Sequence, residues 1–285
     1  MVTQTKIHIR PVEKKDRSQL ANMIHFETFV HRHLDWRSPL DWIGCHPYLV
    51  AEKDKRIIAA MACPPEPPGI AWVRVFVCVS NTSQPEAWDM LWPPAKQHLS
   101  EINISSLAAI PLQKWFRELL EDKGFQHIHN VIALAWDNNN NNLPEPKPID
   151  IRDMRENELA SIQKIDEASF RPIWRNSLDS LKLAFNQAVS ATVAVDQSGP
   201  TGFQISTPSP YGAHLARLAV HPDAQNQGVG YALIHHLQSQ FENPQPKRLT
   251  VNTQDDNNVS IILYKKAGFV LTNEAYPVYL HDFGN

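Results

Sequence analysis

The sequence predicts a mixed α/β protein of two tandem domains, an expectation that rests on its length, a polar break near its middle and a faint internal repetition. At 285 residues the chain is about twice the usual domain size. Asn138 to Asn142 are consecutive asparagines, followed by Leu143-Pro144-Glu145-Pro146-Lys147-Pro148. A tract that cannot pack, then alternating prolines that hold the backbone extended, is linker chemistry. A long surface loop inside one domain is the competing reading. Across this break the halves match at an offset of 142 to 144 residues. Ile9-Arg10 answers Ile151-Arg152, Leu49-Val50-Ala51 answers Thr192-Val193-Ala194, and the helix end Leu119 to Phe125 answers Leu263 to Phe269. The last match puts Gly124 and Gly268 where a helix takes a left-handed C-terminal residue. Order and constant spacing make this an internal duplication. The expected division is a first domain over 1–137, a linker over 138–148 and a second domain over 149–285.

With 42% hydrophobic and 20% charged residues, each half can bury a core. The net charge of -3, with no long block of either sign, argues against nucleic acid as a partner, because phosphate backbones want a basic face. Cys45, Cys63 and Cys78 are odd in number and lack C-x-x-C spacing, which suits free thiols in a reducing compartment. Met1 to Lys6 leads into strand-like alternation without an apolar leader core, and no apolar run approaches the ~18 residues of a membrane span. A cytoplasmic protein without a membrane partner is expected.

In the second half, strands are expected at Ile149–Arg152, Ala191–Val195, Gly202–Ser206, Leu215–Val220 and Leu249–Thr253, with a terminal pair around Phe269–Thr272 and Val278–His281. Helices are expected over Glu156–Ala168, Leu178–Gln187, Gly230–Phe241 and Asn257–Lys266. Asp196-Gln197-Ser198-Gly199 supplies the polar and glycine residues of a hairpin turn.

The segment Leu215 to Ala232, LARLAVHPDAQNQGVGYA, sets two glycines between an apolar strand and an amphipathic helix. Glycine at 228 and 230 lets the backbone approach phosphate oxygens, and the free N–H groups of the helix's first turn point at the anion. Gly230 is followed by Tyr231, so the loop is not a Walker loop, and Leu233 stands where a dinucleotide fingerprint wants a small residue. Gln225-Asn226-Gln227-Gly228-Val229-Gly230 instead fits Gln/Arg-x-x-Gly-x-Gly/Ala.

With those residues the second half resembles the GNAT superfamily of N-acetyltransferases, and looks most like its ribosomal-protein N-terminal acetyltransferase branch. Leu218-Ala219-Val220-His221-Pro222 is similar to the family's pantetheine-pairing strand. Asn257 to Phe269 looks like its Asn-x6-Tyr-x3-Gly-Phe helix. The resemblance covers roughly 149 to 281. It implies two tandem GNAT-like domains, each a mostly antiparallel twisted sheet flanked by helices. It also implies transfer of an acetyl group from acetyl-CoA to a primary amine by direct attack. Leu218, Val220, Gln225, Asn226, Gln227, Gly228, Val229, Gly230, Tyr231, Asn257 and Tyr264 match the cofactor-binding positions. Tyr264 matches the general acid that protonates the leaving thiolate, a phenol that stays protonated at neutral pH. Phe170, Trp174 and Arg175 lie where the family's first helices wall the acceptor. Relatives that use a glutamate base carry it five residues before the motif asparagine, and Asn252 holds that position here. The absence favours an acceptor of lower basicity, such as an α-amine. His214 and a water chain are the alternatives.

The first half repeats the fold but not the site: Ser80 to Ala87 after the strand Val73–Val79 has no glycine, and Leu120 stands where Tyr264 stands. A GNAT-like domain without acetyl-CoA is expected there. Seven of the eight tryptophans lie in this half, which fits an aromatic core; Trp174 alone lies in the other. The pairs His31/His33, His127/His129 and His235/His236 lack a third ligand, so no metal is expected. The acceptor is a small-molecule or peptide amine, and the protein a monomer or homodimer. A catalytically weak acetyl-CoA-binding or scaffold protein is the alternative, with Asn252 its support.

Overall fold

The computed structural model describes residues 6–137, 143–241 and 248–284; the asparagine tract 138–142 lies outside them. The chain forms two compact units, 1–128 with 277–285, and 129–276. Its strands fall into a five-stranded and a nine-stranded sheet.

The first unit holds β1 (His8–Pro11), α1 (Arg17–Phe26), β2 (Phe29–Arg32), β3 (Tyr48–Lys53), β4 (Arg56–Ala62), β5 (Ala71–Trp72), β6 (Val75–Cys78), α2 (Gln84–Glu101), β7 (Ser106–Ala109), α3 (Lys114–Asp122) and the start of β8 (Gln126–Trp136). The second holds the rest of β8, then β9 (Asp150–Asp153), α4 (Leu159–Ser169), α5 (Leu178–Asn186), β10 (Ser190–Asp196), β11 (Gly199–Ser209), β12 (Gly212–Val220), α6 (Val229–Ser239), β13 (Arg248–Gln254), α7 (Asn258–Lys266) and the start of β14 (Val270–Asp282). The expected hairpin is β10 and β11, antiparallel and turning at Asp196 and Gly199. The expected terminal pair of strands is instead the single strand β14, which runs unbroken between the two expected strands through exposed residues 273–275 and half-buried residues 276–277.

The duplication extends to matched contacts. In the first unit Ile9 faces Ala51 across β1 and β3; in the second Ile151 faces Ala194 across β9 and β10. Arg10 pairs with Asp16 at 2.7 Å and Arg152 with Glu158 at 2.5 Å. Each carboxylate also accepts a backbone N–H three residues before it, from Glu13 and Arg155, both at 2.8 Å. The sheet orders run in step through β1-β3-β4-β6 and β9-β10-β11-β12.

The units do not divide at the asparagine tract. Residues 131–136 of β8 pair antiparallel with β13, from Val131 opposite Gln254 to Trp136 opposite Leu249, inside the second unit. Residues 279–282 of β14 pair with β7, inside the first. Each half thus gives its last strand to the other unit, and Trp136 joins Trp174 as a tryptophan of the second unit, packed with Leu134, Leu249 and Phe269. The first unit keeps an aromatic core around Phe76, Trp88, Phe116 and Phe125, with Phe76 and Trp88 edge to face at 5.5 Å.

The register that matters most is set by Gly212, where β12 meets β13. A Cβ there would lie 2.2 Å from the Arg248 carbonyl oxygen, and its φ of +156° disfavours a side chain. Gly212→Ala is expected to cost about 2–4 kcal/mol, read as a lower urea midpoint; an unchanged midpoint would show that the strand end moves without penalty.

Candidate active site

β12 pairs on one side with β11 along its whole length and on the other with β13, in parallel, only from Gly212 opposite Arg248 to Leu215 opposite Val251. Beyond that point β13 continues along β8 while β12 does not follow it, so among the described residues no strand covers the edge of β12 from Ala216 to Val220. A bulge accompanies the parting: Ile205 faces Arg217 and Ser206 faces Leu215, which makes Ala216 an extra residue that bends the strand. An unpaired strand edge is a row of N–H and C=O groups ready for an extended ligand arm.

The loop after β12 is held by its own side chains. Gln225 Nε2 donates to the Val220 carbonyl at 3.0 Å, and Gln227 Nε2 donates to the Asp223 carbonyl at 2.9 Å. Asn226 and Gly228 take left-handed φ values of 60° and 98°. The first helical bond runs from Ala232 N–H to Gly228 O at 3.0 Å, so the N–H groups of Val229, Gly230 and Tyr231 come before it and face outward as at any helix start. The two glycines do different work. Gly228 supplies the left-handed N-cap. Gly230 is a packing glycine: a Cβ there would meet Leu263 at 3.1 Å and Val220 at 3.6 Å. Its missing side chain lets α6 lie close to α7 and β12.

Other expected cofactor residues are also engaged within the chain. The Val220 carbonyl, besides Gln225, has the Ser169 hydroxyl at 2.9 Å. Tyr231 is buried with its hydroxyl donating to the Pro144 carbonyl at 2.6 Å. Asn257 caps α7 by accepting from Ser260 N–H at 3.2 Å. Leu218 is half-buried opposite Gln204.

Tyr264 is buried against Phe269, ring centroids 5.9 Å apart. Burial raises its phenol above the ordinary value, and the Arg217 charge acts in the opposite direction. The phenol is accordingly protonated throughout the neutral range. Arg217, within the run Leu215-Ala216-Arg217-Leu218-Ala219-Val220 of β12, sits with its guanidinium carbon 3.4 Å from the centroid of the Phe170 ring. Its Nε donates to Asp166 Oδ2 at 2.6 Å and its Nη2 to the Trp174 carbonyl at 2.7 Å. Asp166 is fully buried and also accepts the Asn176 N–H at 2.8 Å. Phe170 and Trp174 are thereby brought together by one arginine, while Arg175 turns back, donating to the Phe170 carbonyl at 3.1 Å.

The strand exchange adds residues to this neighbourhood. His129, on β8, lies 5.4 Å from the Trp174 ring. Asp255, just past β13, accepts from Asn130 N–H at 3.1 Å and Nδ2 at 2.7 Å. Burial pushes the Asp255 carboxyl up, but the Asn130 hydrogen bonds and the His129 charge together bring it below the usual range. Asn252 is exposed. His214 lies where β12 and β13 are still paired, its Nδ1 2.9 Å from Thr250 Oγ1, and burial lowers its pKa. Arg217, Asp166 and Asp255 are not singled out in the sequence reading, and His129 enters it only within the pair His127/His129. Arg217 carried a usable signal, a charge inside LARLAV; His129 and Asp255 carried none, because their proximity depends on an exchanged strand.

The first unit differs at the same places. The edge of β6 that corresponds to the open edge of β12 is covered by β2, with Phe29 opposite Cys78 and Arg32 opposite Val75. The start of α2 is closed by its own capping box, Glu86 N–H to Ser83 Oγ at 3.4 Å and Ser83 N–H to Glu86 Oε2 at 3.3 Å, and Pro85 offers no N–H. Leu120 is fully buried. Arg74, the counterpart of Arg217, pairs with Asp35 at 2.9 Å and lies 5.0 Å from the Trp42 ring centroid.

Among the described residues no three His, Cys, Asp or Glu side chains converge as a metal site, and no helix is long and apolar enough to cross a membrane.

Residues 188–271 match the family model described as an acetyltransferase (GNAT) domain. The chain is 32% identical over 103 residues to a peptidyl-lysine N-acetyltransferase, YjaB, of Salmonella typhimurium; the match takes in 36% of this chain and 65% of that protein, slightly less than two thirds of its length. Among solved structures it is similar to a tandem GNAT protein from the clavulanic acid biosynthesis pathway (13% identity, TM-score 0.62, 98% of this chain and 99% of that one). It is also similar to a GCN5-related N-acetyltransferase from Sphaerobacter thermophilus (12% identity, TM-score 0.62, 98% and 96%). These likenesses establish the fold, which includes the tandem arrangement.

The buried pair at the centre of the site has a measurable signature. Asp166→Ala, which strands the Arg217 charge, is expected to lose about 3–5 kcal/mol of stability, and the double change Asp166→Leu with Arg217→Met markedly less. Urea unfolding of the two variants checks this, and additive losses would refute the coupling.

Proposed function

The chain carries a GNAT acetyltransferase domain over 188–271, and on that premise we propose that it moves an acetyl group from acetyl-CoA to a primary amine, with the chemistry confined to the second unit. The observation that carries the reading is the open edge of β12 running straight into the loop Gln225 to Gly230. An extended arm pairs along Ala216 to Val220 while its anionic end meets the N–H groups of Val229, Gly230 and Tyr231. The residues fit acetyl-CoA on this ground, with one qualification of position. The Val220 carbonyl is already occupied by Ser169 and Gln225, so Leu218 and Ala216 are the residues of that edge free to pair with the arm.

The acetyl thioester supplies the electrophile. Tyr264 holds a proton on its phenol oxygen and gives it to the departing sulfur. The amine nitrogen releases one proton to water as the amide bond forms and the C–S bond breaks, and the phenolate regains a proton from solvent. Burial of Tyr264 keeps its proton in place at neutral pH, and the Arg217 charge moderates the cost of giving it up. Arg217 also positions Phe170 and Trp174, the proposed acceptor wall, by holding the ring of one and the carbonyl of the other. The same reading assigns no acetyl-CoA to the first unit, since β2 takes the place of the arm and Ser83, Glu86 and Pro85 close the helix start.

The acceptor is a primary amine of a small molecule or a peptide. The similar Salmonella protein is named for peptidyl-lysine. Asn252 cannot take a proton, so the amine arrives neutral from solution, which suits an α-amine of pKa about 8 better than a lysine near 10.4.

Two outcomes are expected. Tyr264→Phe lowers kcat about 10²-fold with acetyl-CoA affinity nearly unchanged; steady-state kinetics and calorimetry test this, and an unaltered kcat would remove the phenol from the reaction. Log kcat/KM should rise with unit slope and level at the pKa of whichever amine is offered, tracking that amine across a series of peptides. A fixed inflection between pH 5 and 7 would reveal a protein base instead.

A further inference from the structure

The segment Leu143 to Pro148 packs against the second unit. Leu143 Cδ2 lies 3.1 Å from the position a Cβ would take on Gly268, and Trp136 lies 3.4 Å from that same position. The Pro144 carbonyl accepts the buried Tyr231 hydroxyl at 2.6 Å. Pro146 and Pro148 fix the backbone on either side of Lys147. From this anchored stretch the Lys147 stem lies on the loop glycine: its Cδ, Cγ and Cβ are 3.4, 3.7 and 3.8 Å from where a Gly228 Cβ would be.

Gly228 is the N-cap of α6. The ammonium of the exposed Lys147 side chain is two bonds beyond Cδ and so within reach of the start of α6, where the dipole and the outward N–H groups repel a cation. Lysine is ordinarily favoured at the opposite end. Among the described residues no carboxylate forms an ion pair with Lys147 to offset that repulsion. An anion between the ammonium and the helix N–H groups turns the repulsion into attraction on both sides, as in phosphate sites that join a lysine to a helix start.

We propose that Lys147 is a phosphate ligand of the Gln225–Gly230 site, brought there by the proline-rich segment. The inference rests on the reading of that loop as the seat of the acetyl-CoA pyrophosphate. It also gives the segment a second task, since a residue outside the 188–271 domain match completes that domain's binding surface. The opposing arrangement is a cover, in which the lysine stem blocks Gly228 and leaves when acetyl-CoA arrives. The two differ in sign.

The experiment is calorimetric titration of acetyl-CoA into the full-length chain and into Lys147→Ala, Lys147→Glu and Lys147→Arg. It is paired with the ratio of kcat/KM for acetyl-CoA to that for S-acetylpantetheine, which lacks the pyrophosphate. A ligand role predicts Kd raised roughly tenfold in Lys147→Ala and further in Lys147→Glu, recovery to within about threefold in Lys147→Arg, and a kcat/KM ratio that falls with the affinity. Unchanged or tighter binding in Lys147→Ala would overturn the proposal and leave the loop reading intact. Failure of the unaltered chain to bind acetyl-CoA would overturn both.

Discussion

Two parallel strands that pair for four residues and then part, β12 and β13, create the space on which the rest of the second unit depends. Their closed end is held by Gly212, whose lack of a side chain lets β12 approach the Arg248 carbonyl. Their separation is supported from both flanks. On one, the Ala216 bulge bends β12; on the other, β8 keeps β13 paired through Gln254. An open edge of backbone groups costs free energy wherever it is shielded from water. On the function proposed above, this open edge of β12 is where the extended cofactor arm pairs. The first unit shows the alternative solution. There β2 lies along the equivalent edge of β6, and the backbone groups are satisfied from within the chain.

The same comparison explains why one buried arginine recurs while its surroundings differ. Arg74, just before β6, and Arg217, within β12, are counterparts 143 residues apart in the repeat, each with a carboxylate and an aromatic ring. In the first unit β2 already covers the edge of β6 that follows Arg74. In the second the pair lies beside Phe170, Trp174 and, within electrostatic reach, Tyr264. A buried ion pair contributes little net stability compared with well-packed apolar residues, so its retention in the second unit is better explained by what it orients than by what it stabilises.

Much of this was legible in the sequence, for reasons that can be named. The hairpin at Asp196 to Gly199, the helix from Val229 and the cap at Asn257 are local features, each set by residues a few positions apart, and they stand where the pattern puts them. The repeat was legible because matched residues make matched contacts, as Ile9 with Ala51 and Ile151 with Ala194 do. What stayed hidden was non-local. Nothing in Phe29-Val30-His31-Arg32 distinguishes a strand that covers β6 from one at a free edge. Nothing in Gln126 to Trp136 tells that its second half belongs with β13. The distinct tasks of Gly228 and Gly230 were equally invisible, because the pattern contains two glycines and only the packing of Leu263 and Val220 separates them.

The exchange of final strands bears on how the duplicated chain can be divided. A cut in the asparagine tract looks natural from composition, yet it would remove residues 129–136 from the unit that uses them. β13 would lose its antiparallel partner along Leu249 to Gln254, and Leu249, Val251 and Phe269 would lose the cover of Leu134 and Trp136. Asp255 would lose both hydrogen bonds from Asn130, and Trp174 its neighbour His129. A single GNAT-like half severed there would thus carry every motif residue from Gln225 to Tyr264 and still lack one side of the sheet that holds them in place. What the second unit takes from the first half of the sequence is this strand, residues 129–136.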